Sequence, residues 1–394
     1  MIFSPYPAEQ EDSVSHDSLS RRSFLRNTAV GSTGSVLAAI PLAHGTTPGA
    51  SPVPPAPPWP VTEASYPLSA PGKSIGQTRI KLASMFSDFP SSYNDKVQAY
   101  APNLEMKFCK TPDEFRNEVA DAHIILGDFT QEDFQAAKQL RWVQATAAGV
   151  DELLYPDFVE SPVVLTNMQR MYSPTISESV IGMLITLTRR LHDYVLLDQQ
   201  RKWNPLPGLR DVSGMTMGIV GMGGIGTDTA YRAHFGFHMR VLATDPKPLP
   251  KPAFVAELHS PEWLPKMVPQ VDVLVSAAPH TPITHHMFND EIFRLMKPSA
   301  YFINVSRGWL VDTPALVSAL QERRISGAAL DVTEPEPLPS DHPLWTAGNI
   351  FISPHTCARG PVSNTNSMEL FCENMRRYVN GLPLLNVVDK KRGY

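Results

Sequence analysis

The sequence predicts an α/β protein built from two doubly wound parallel-sheet domains. Short apolar runs alternate with helical stretches from Arg79 onward, the pattern of strand-helix-strand units. A glycine turn, Gly221-x-Gly223-x-x-Gly226, stands between the apolar run Thr216 to Val220 and a helical stretch. Four later apolar runs end in polar or charged residues, which a parallel sheet gathers on one rim.

The first, smaller domain is expected at 79–175, completed by 359–394, and is read as flavodoxin-like. Its strands are Ile80 to Met85, Glu105 to Cys109, Ile124 to Leu126, Trp142 to Ala145 and Val163 to Thr166, with helices over Pro112 to Ala120 and Glu132 to Leu140. After the Trp142 strand the chain runs Thr146-Ala147-Ala148-Gly149-Val150-Asp151, small residues and an acid at a strand end, where open α/β sheets bind ligands. On this segment alone, a plain loop capped by Asp151 is an equal reading. Thr175-Ile-Ser-Glu178 then reads as a capping box opening one long helix. Its stripe of Val180, Leu184, Leu187, Leu191 and Tyr194 suits core or a subunit interface.

The second domain, 176–358, is read as a Rossmann-type nucleotide-binding unit. Gly221 permits the tight turn, Gly223 lets backbone approach a pyrophosphate, and Gly226 lets the helix lie close on the sheet. The free N–H groups at the start of that helix, over Gly224 and Ile225, face the phosphates. A second run, Arg240 to Thr244, ends in Asp245, placed where an acid accepts hydrogen bonds from the two ribose hydroxyls and repels a 2′-phosphate. The cofactor indicated is therefore NAD rather than NADP, with Lys247 as a contrary sign.

The four later runs are Val271 to Ala278, ending at Pro279-His280; Tyr301 to Val305, ending at Ser306-Arg307-Gly308; Ala328 to Val332, containing Asp331; and Ile350 to Ser353, ending at Pro354-His355. Arg307, Glu336 and His355 are the candidate catalytic residues, since buried charges at strand ends are costly unless paired or used. A last helix, Ser363 to Asn380, closes at Gly381 and is expected to pack back on the first domain.

The totals agree with this division. A chain of 394 residues is long enough for two cores, and a net charge of −5 with pI near 6.2 gives no footing for nucleic acid. Three cysteines, Cys109, Cys357 and Cys372, without CxxC spacing suggest neither a disulfide framework nor a zinc site. No metal is expected: His285-His286 and the pair His234 and His238 have no carboxylate or cysteine beside them in sequence.

The N-terminus is of another kind. Ser20-Arg21-Arg22-Ser23-Phe24-Leu25-Arg26 resembles the twin-arginine export signal, and Thr28 to Ala43 behind it is too short and too polar for a stable membrane span. Residues 1–45 are read as that signal and 46–78 as a Pro-rich linker, whose core Pro48 to Pro71 suits an extended polyproline-like tether. The resemblance implies the twin-arginine machinery as a partner and a periplasmic or otherwise exported location.

From Arg79 to Tyr394 the chain resembles the D-isomer-specific 2-hydroxyacid dehydrogenases. The motifs that carry this are AAGVDELL at Ala147, GIVGMGGIG at Gly218, INVSRGWLVD at Ile303, GAALDVTEPEPLP at Gly327, DHPLW at Asp341, SPH at Ser353 and NVVDKKRGY at Asn386. The resemblance implies that Arg307 binds the substrate carboxylate and polarises the keto group, that Glu336 pairs with His355, and that His355 is the acid/base. It implies further that amides of Ala148, Gly149 and Val150 complete the substrate site, and that Asp331 holds the nicotinamide carboxamide, beside Pro279 and Ser306 at the cofactor. The implied reaction interconverts a small 2-keto acid and its D-2-hydroxy acid in a homodimer. Hydride delivery to a carbonyl puts charge on its oxygen, so a fixed cation and a proton donor must already be aimed there. Formate-oxidising relatives carry glutamine where this chain has Glu336, so the acid argues for hydroxy-acid chemistry. Departures are Gly224, where relatives often have Arg or Ser and where pyrophosphate contacts are expected to weaken, Thr333 for a usual aromatic, and Thr356-Cys357 after His355. Met171 and Tyr172 are further candidates for the pocket wall. Competing readings are an NADP-linked glyoxylate or hydroxypyruvate reductase, which Asp245 disfavours, and a non-enzymatic nucleotide-binding protein on the same fold.

Overall fold

The computed structural model describes residues 79–86 and 89–394. The Arg21-Arg22 motif, the apolar stretch behind it and the Pro-rich linker lie outside the described residues.

The first sheet is built from β1 (Ile80–Ser84), β2 (Leu104–Phe108), β3 (Ile124–Leu126), β4 (Trp142–Gln144) and β5 (Val164–Thr166). The helices between them are α1 (Ser91–Tyr100), α2 (Pro112–Val119), α3 (Gln131–Ala136) and α4 (Pro156–Val159). All five strands are parallel in the order β2-β1-β3-β4-β5, the flavodoxin-like order expected from the sequence. The α3 helix starts at a full capping box: Thr130 Oγ1 accepts from the Asp133 N–H while the Asp133 carboxylate accepts from the Thr130 N–H.

Two helices, α5 (Ser173–Arg189) and α6 (Leu191–Gln199), lead into the second sheet. This contains β6 (Thr216–Val220), β7 (Arg240–Thr244), β8 (Glu257–His259), β9 (Val273–Ser276), β10 (Tyr301–Asn304), β11 (Gly327–Leu330) and β12 (Ile350–Ile352). Its helices are α7 (Gly224–Phe237), α8 (Leu264–Met267), α9 (Asp290–Leu295) and α10 (Thr313–Gln321), and α11 (Pro361–Val379) follows. Seven parallel strands run in the order β12-β11-β10-β9-β6-β7-β8. The order reverses between β6 and β9, which opens a crevice at their carboxyl ends. Both faces are covered, as a parallel sheet requires: Leu274 and Phe302 face one core, while their neighbours Val275 and Ile303 face the other.

Four expectations need correction. The Thr175 capping box does not form, because Pro174 starts α5 earlier, from Ser173, and the Thr175 hydroxyl bonds instead to Ser363 Oγ at 2.7 Å. The expected single long helix breaks at Arg190, held left-handed at φ 55°, so that Leu191 leaves the buried stripe of Val180, Leu184 and Leu187. The helix from Glu132 stops at Ala136 rather than Leu140. Asp331 lies one residue beyond β11 rather than inside it. The α11 helix does return to the first sheet, stacking Phe371 on Trp142 and sending the Asn374 amide to Gln144 at 3.1 Å. Among the described residues no helix is long and apolar enough to cross a membrane.

Candidate active site

The nucleotide end of the crevice is set by the sequence of the β6 turn. Gly221 has φ 97°, and a Cβ there would lie 2.7 Å from the Ala277 carbonyl oxygen that follows β9. A Cβ on Gly226 would meet the Gly221 carbonyl, so only glycine lets α7 lie this close to its strand. Gly223, by contrast, faces open space, the cradle a phosphate needs, and the first residues of α7 turn their N–H groups toward it. Ile225 packs into the core below. The Asp245 carboxylate lies at this turn, accepting from the Met222 N–H at 2.8 Å and from the Lys247 N–H at 2.8 Å. Each oxygen keeps a second acceptor position for a ribose hydroxyl.

The chemical end lies on the same rim. The Arg307 guanidinium rests against Gly149, where an added Cβ would come within 2.7 Å of its Cζ. Its Nε lies 3.3 Å from Asp151 Oδ1, and the Asn304 amide donates to its backbone carbonyl at 2.9 Å. The Ala148-Gly149-Val150 loop is pinned from behind: Asn167 Nδ2 donates to the Ala148 carbonyl at 2.6 Å, and the Tyr172 hydroxyl donates to the Thr146 carbonyl. Tyr172 thus supports the loop, whereas Met171 is buried in the core beneath the first sheet.

His355 sits in a turn at φ 52°. Its Nδ1 lies 2.7 Å from Glu336 Oε1, and a carboxylate only accepts, so Nδ1 carries the proton and Nε2 is left for a substrate. The turn is organised by Asp331, whose carboxylate accepts from Ser353 Oγ at 2.6 Å, the Thr356 N–H at 2.9 Å and the Cys357 N–H at 3.0 Å. That commits three of its four acceptor positions, leaving one for the carboxamide assigned to it from sequence. Ser306 Oγ lies 2.6 Å from Ser276 Oγ and donates to Asn304 Oδ1, and the exposed Pro279 offers its carbonyl to Thr284.

Several neighbours escaped the sequence reading. Asp151 appeared there only as an acid after small residues, without its partner Arg307. His280, in the charge field of Asp151 and Arg307, is pushed below the ordinary imidazole value by burial. Its ring stacks on Trp309. A carboxylate does accompany His286: Glu334 lies 3.1 Å from its Nε2. Among the described residues, however, no three His, Cys, Asp or Glu side chains group as metal ligands.

A glycine turn that fits a pyrophosphate, an acid beside it, and an arginine and a histidine-glutamate pair on one rim define a nicotinamide-dependent oxidoreductase. The model of the D-isomer specific 2-hydroxyacid dehydrogenase NAD binding domain matches residues 181–357. A glyoxylate reductase of Korarchaeum cryptofilum is 34% identical over 265 residues, 66% of this chain and 79% of that protein. A D-isomer specific 2-hydroxyacid dehydrogenase family protein from Aeromonas salmonicida has a solved structure that aligns with 80% of this chain and 99% of its own, at TM-score 0.69 and 32% identity. A D-isomer specific 2-hydroxyacid dehydrogenase from Xanthobacter autotrophicus Py2, solved with NADPH and MES, aligns at TM-score 0.70 and 26% identity, covering 80% of this chain and 100% of that one. The chain belongs to the D-isomer specific 2-hydroxyacid dehydrogenases, enzymes that use NAD or NADP as acceptor.

Proposed function

We propose that this chain is an NAD-linked reductase of a small 2-keto acid, of the size of glyoxylate, with Arg307, Glu336 and His355 as its catalytic residues. The observation behind it is the His355 to Glu336 contact of 2.7 Å on the same rim as an arginine cradled by Gly149. Bound nicotinamide supplies the hydride. Arg307 offers a planar, permanently charged fork to the substrate carboxylate and carbonyl, aided by the amides of Ala148 to Val150. His355 Nε2 delivers the proton to the oxygen as charge builds there, and Glu336 holds the ring and stabilises its charged form. In the oxidative direction His355 is the base. Asp245 supports NAD over NADP, since a 2′-phosphate would meet a carboxylate locked in place by two backbone amides.

The test is NADH consumption with a panel of 2-keto acids, with NADPH as control, by the chain from Arg79 and its His355→Ala variant. Loss of His355 is expected to lower kcat about 10²–10⁴-fold with NADH affinity retained. NADH binding with no turnover on any keto acid would instead favour a non-catalytic binding protein, and equal use of NADPH would remove the NAD assignment.

We read the Arg21-Arg22 leader as directing export and the Pro-rich segment as a tether, with the nucleotide loaded before translocation, held tightly and recycled between successive substrates. The expected result is protein outside the cytoplasm that co-purifies with nucleotide. Unchanged localisation of an Arg21→Lys/Arg22→Lys double variant, or nucleotide-free protein of micromolar NAD affinity, would overturn this. A homodimer through the nucleotide domains completes the reading.

A further inference from the structure

The departure at Gly224 has a structural cause. A Cβ at that position would lie against the Ser173 hydroxyl and within 2.8 Å of Arg170 Cγ and 2.9 Å of Arg170 Cα. The crossover segment between β5 and α5 therefore lies directly on the first residue of α7, beside the open face of Gly223. Among the described residues, three polar groups of this segment have no partner, one of them Gln169 Nε2, and the other two lie against Gly224. Ser173 is 3% exposed, and among the described residues its buried Oγ makes no hydrogen bond. The Arg170 guanidinium is half-buried and, among the described residues, has neither an ion-pair nor a hydrogen-bond partner, although its backbone is held left-handed at φ 72°.

A buried hydroxyl without a partner costs free energy that a native structure rarely leaves uncompensated. A left-handed arginine carries a further penalty, which the surrounding packing must impose. Both groups stand where the glycine turn and the start of α7 already gather unpaired N–H groups, so this side of the turn offers donors and a positive charge, with the Asp245 carboxylate at its ribose end. Lys247, at the ribose end of the same crevice, lies within electrostatic reach of Arg170 as well as of Asp245, Arg392 and Asp389. The complementary ligand is a multiply charged oxyanion.

We propose that Arg170 and Ser173 form the second wall of the dinucleotide pyrophosphate site, donating across the crevice to phosphate oxygens whose other side is held by the glycine turn. Gly224 is then a glycine because the cation that faces the pyrophosphate comes from the crossover segment rather than from α7 itself. Arg170 is a binding and positioning residue, acting on the coenzyme and not on the keto acid.

This rests on reading the glycine turn as the coenzyme site, and the experiment separates the two. Dissociation constants for NADH, ADP-ribose and adenosine are measured by fluorescence and calorimetry on the full wild-type chain and on its Arg170→Ala, Arg170→Gln and Ser173→Ala variants, each checked for native circular dichroism. NADH and ADP-ribose, which share the pyrophosphate, are expected to weaken about 10- to 100-fold in both Arg170 variants and severalfold in Ser173→Ala. Adenosine, which lacks it, is expected to bind as before, and the salt dependence of NADH binding is expected to fall in the Arg170 variants. Unchanged NADH affinity in folded Arg170→Gln, or adenosine weakened as much as ADP-ribose, overturns the proposal. Wild-type protein that binds neither NADH nor ADP-ribose overturns the coenzyme reading beneath it.

Discussion

Arg307 shows how a side chain is positioned by what is missing opposite it. Its guanidinium occupies the space a Cβ at residue 149 would take, and Gly149 has no left-handed backbone to enforce, so the glycine there serves the arginine rather than the turn. Gly149→Ala is accordingly expected to fold with a melting temperature near wild type, because the far end of a flexible side chain yields easily. The KM for the keto acid is expected to rise at least about tenfold as the fork leaves its carboxylate. Unaltered KM in the alanine variant would show that Arg307 does not bind substrate from this position. The arginine, the glutamate and the histidine were all legible in sequence because each sits in a short motif after an apolar run. Asp151 and Arg170 were not, since the residues they lie against, Arg307 and Gly224, are more than 50 residues away in the chain and only the fold brings them close.

Elements were legible where the apolar period was strong. The strands β6 and β7 run over the residues expected from the pattern alone, because parallel strands covered on both faces leave continuous apolar runs. The helix α1 was not, since it opens on Ser-Ser-Tyr-Asn-Asp, buries only Val97 and shows no stripe. The break between α5 and α6 was hidden for another reason: Arg190 adopts the left-handed conformation without being glycine, helped by its Nε contact of 2.7 Å with Asp193. The α11 helix shows how ion pairs tune an element. The Arg376 guanidinium, followed by that of Arg377, holds the Glu373 carboxyl down at about 2, against an opposing effect of burial. A depressed folded-state value means the stabilisation is complete above the ordinary value of about 4.5 and is lost as pH falls toward about 2. Glu373→Gln is thus expected to be less stable than wild type at pH 7, with the difference closing below pH 4.5 in urea titrations. A difference that stays constant from pH 7 to pH 2 would show that the ion pairs do not carry it.

At the scale of the whole molecule, the two sheets are joined by the β5–α5 crossover and by the return of α11, and the last residues bind the lobes once more. Lys390 donates to the carbonyls of Phe158, Ser161 and Val163 beside the first sheet, while the terminal Tyr394 ring lies 4.5 Å from the Lys247 ammonium beyond β7. Leu191, Val195 and Leu196 on α6 and Trp203 after it are exposed, the last at 99%, although the stripe that precedes them on α5 is buried. In the homodimer we propose, such a run of large apolar side chains on one segment would be covered. In a two-fold homodimer the same segment meets its own copy, so one substitution is felt twice. Wild-type protein is expected to elute in light-scattering chromatography at twice the protomer mass. The Val195→Asp/Leu196→Asp double variant is expected to elute as a protomer, since burying unpaired carboxylates at a self-complementary interface costs several kcal/mol. A wild-type chain that elutes as a monomer at micromolar concentration would remove the dimer, and a double variant that stays dimeric would move the interface to another face.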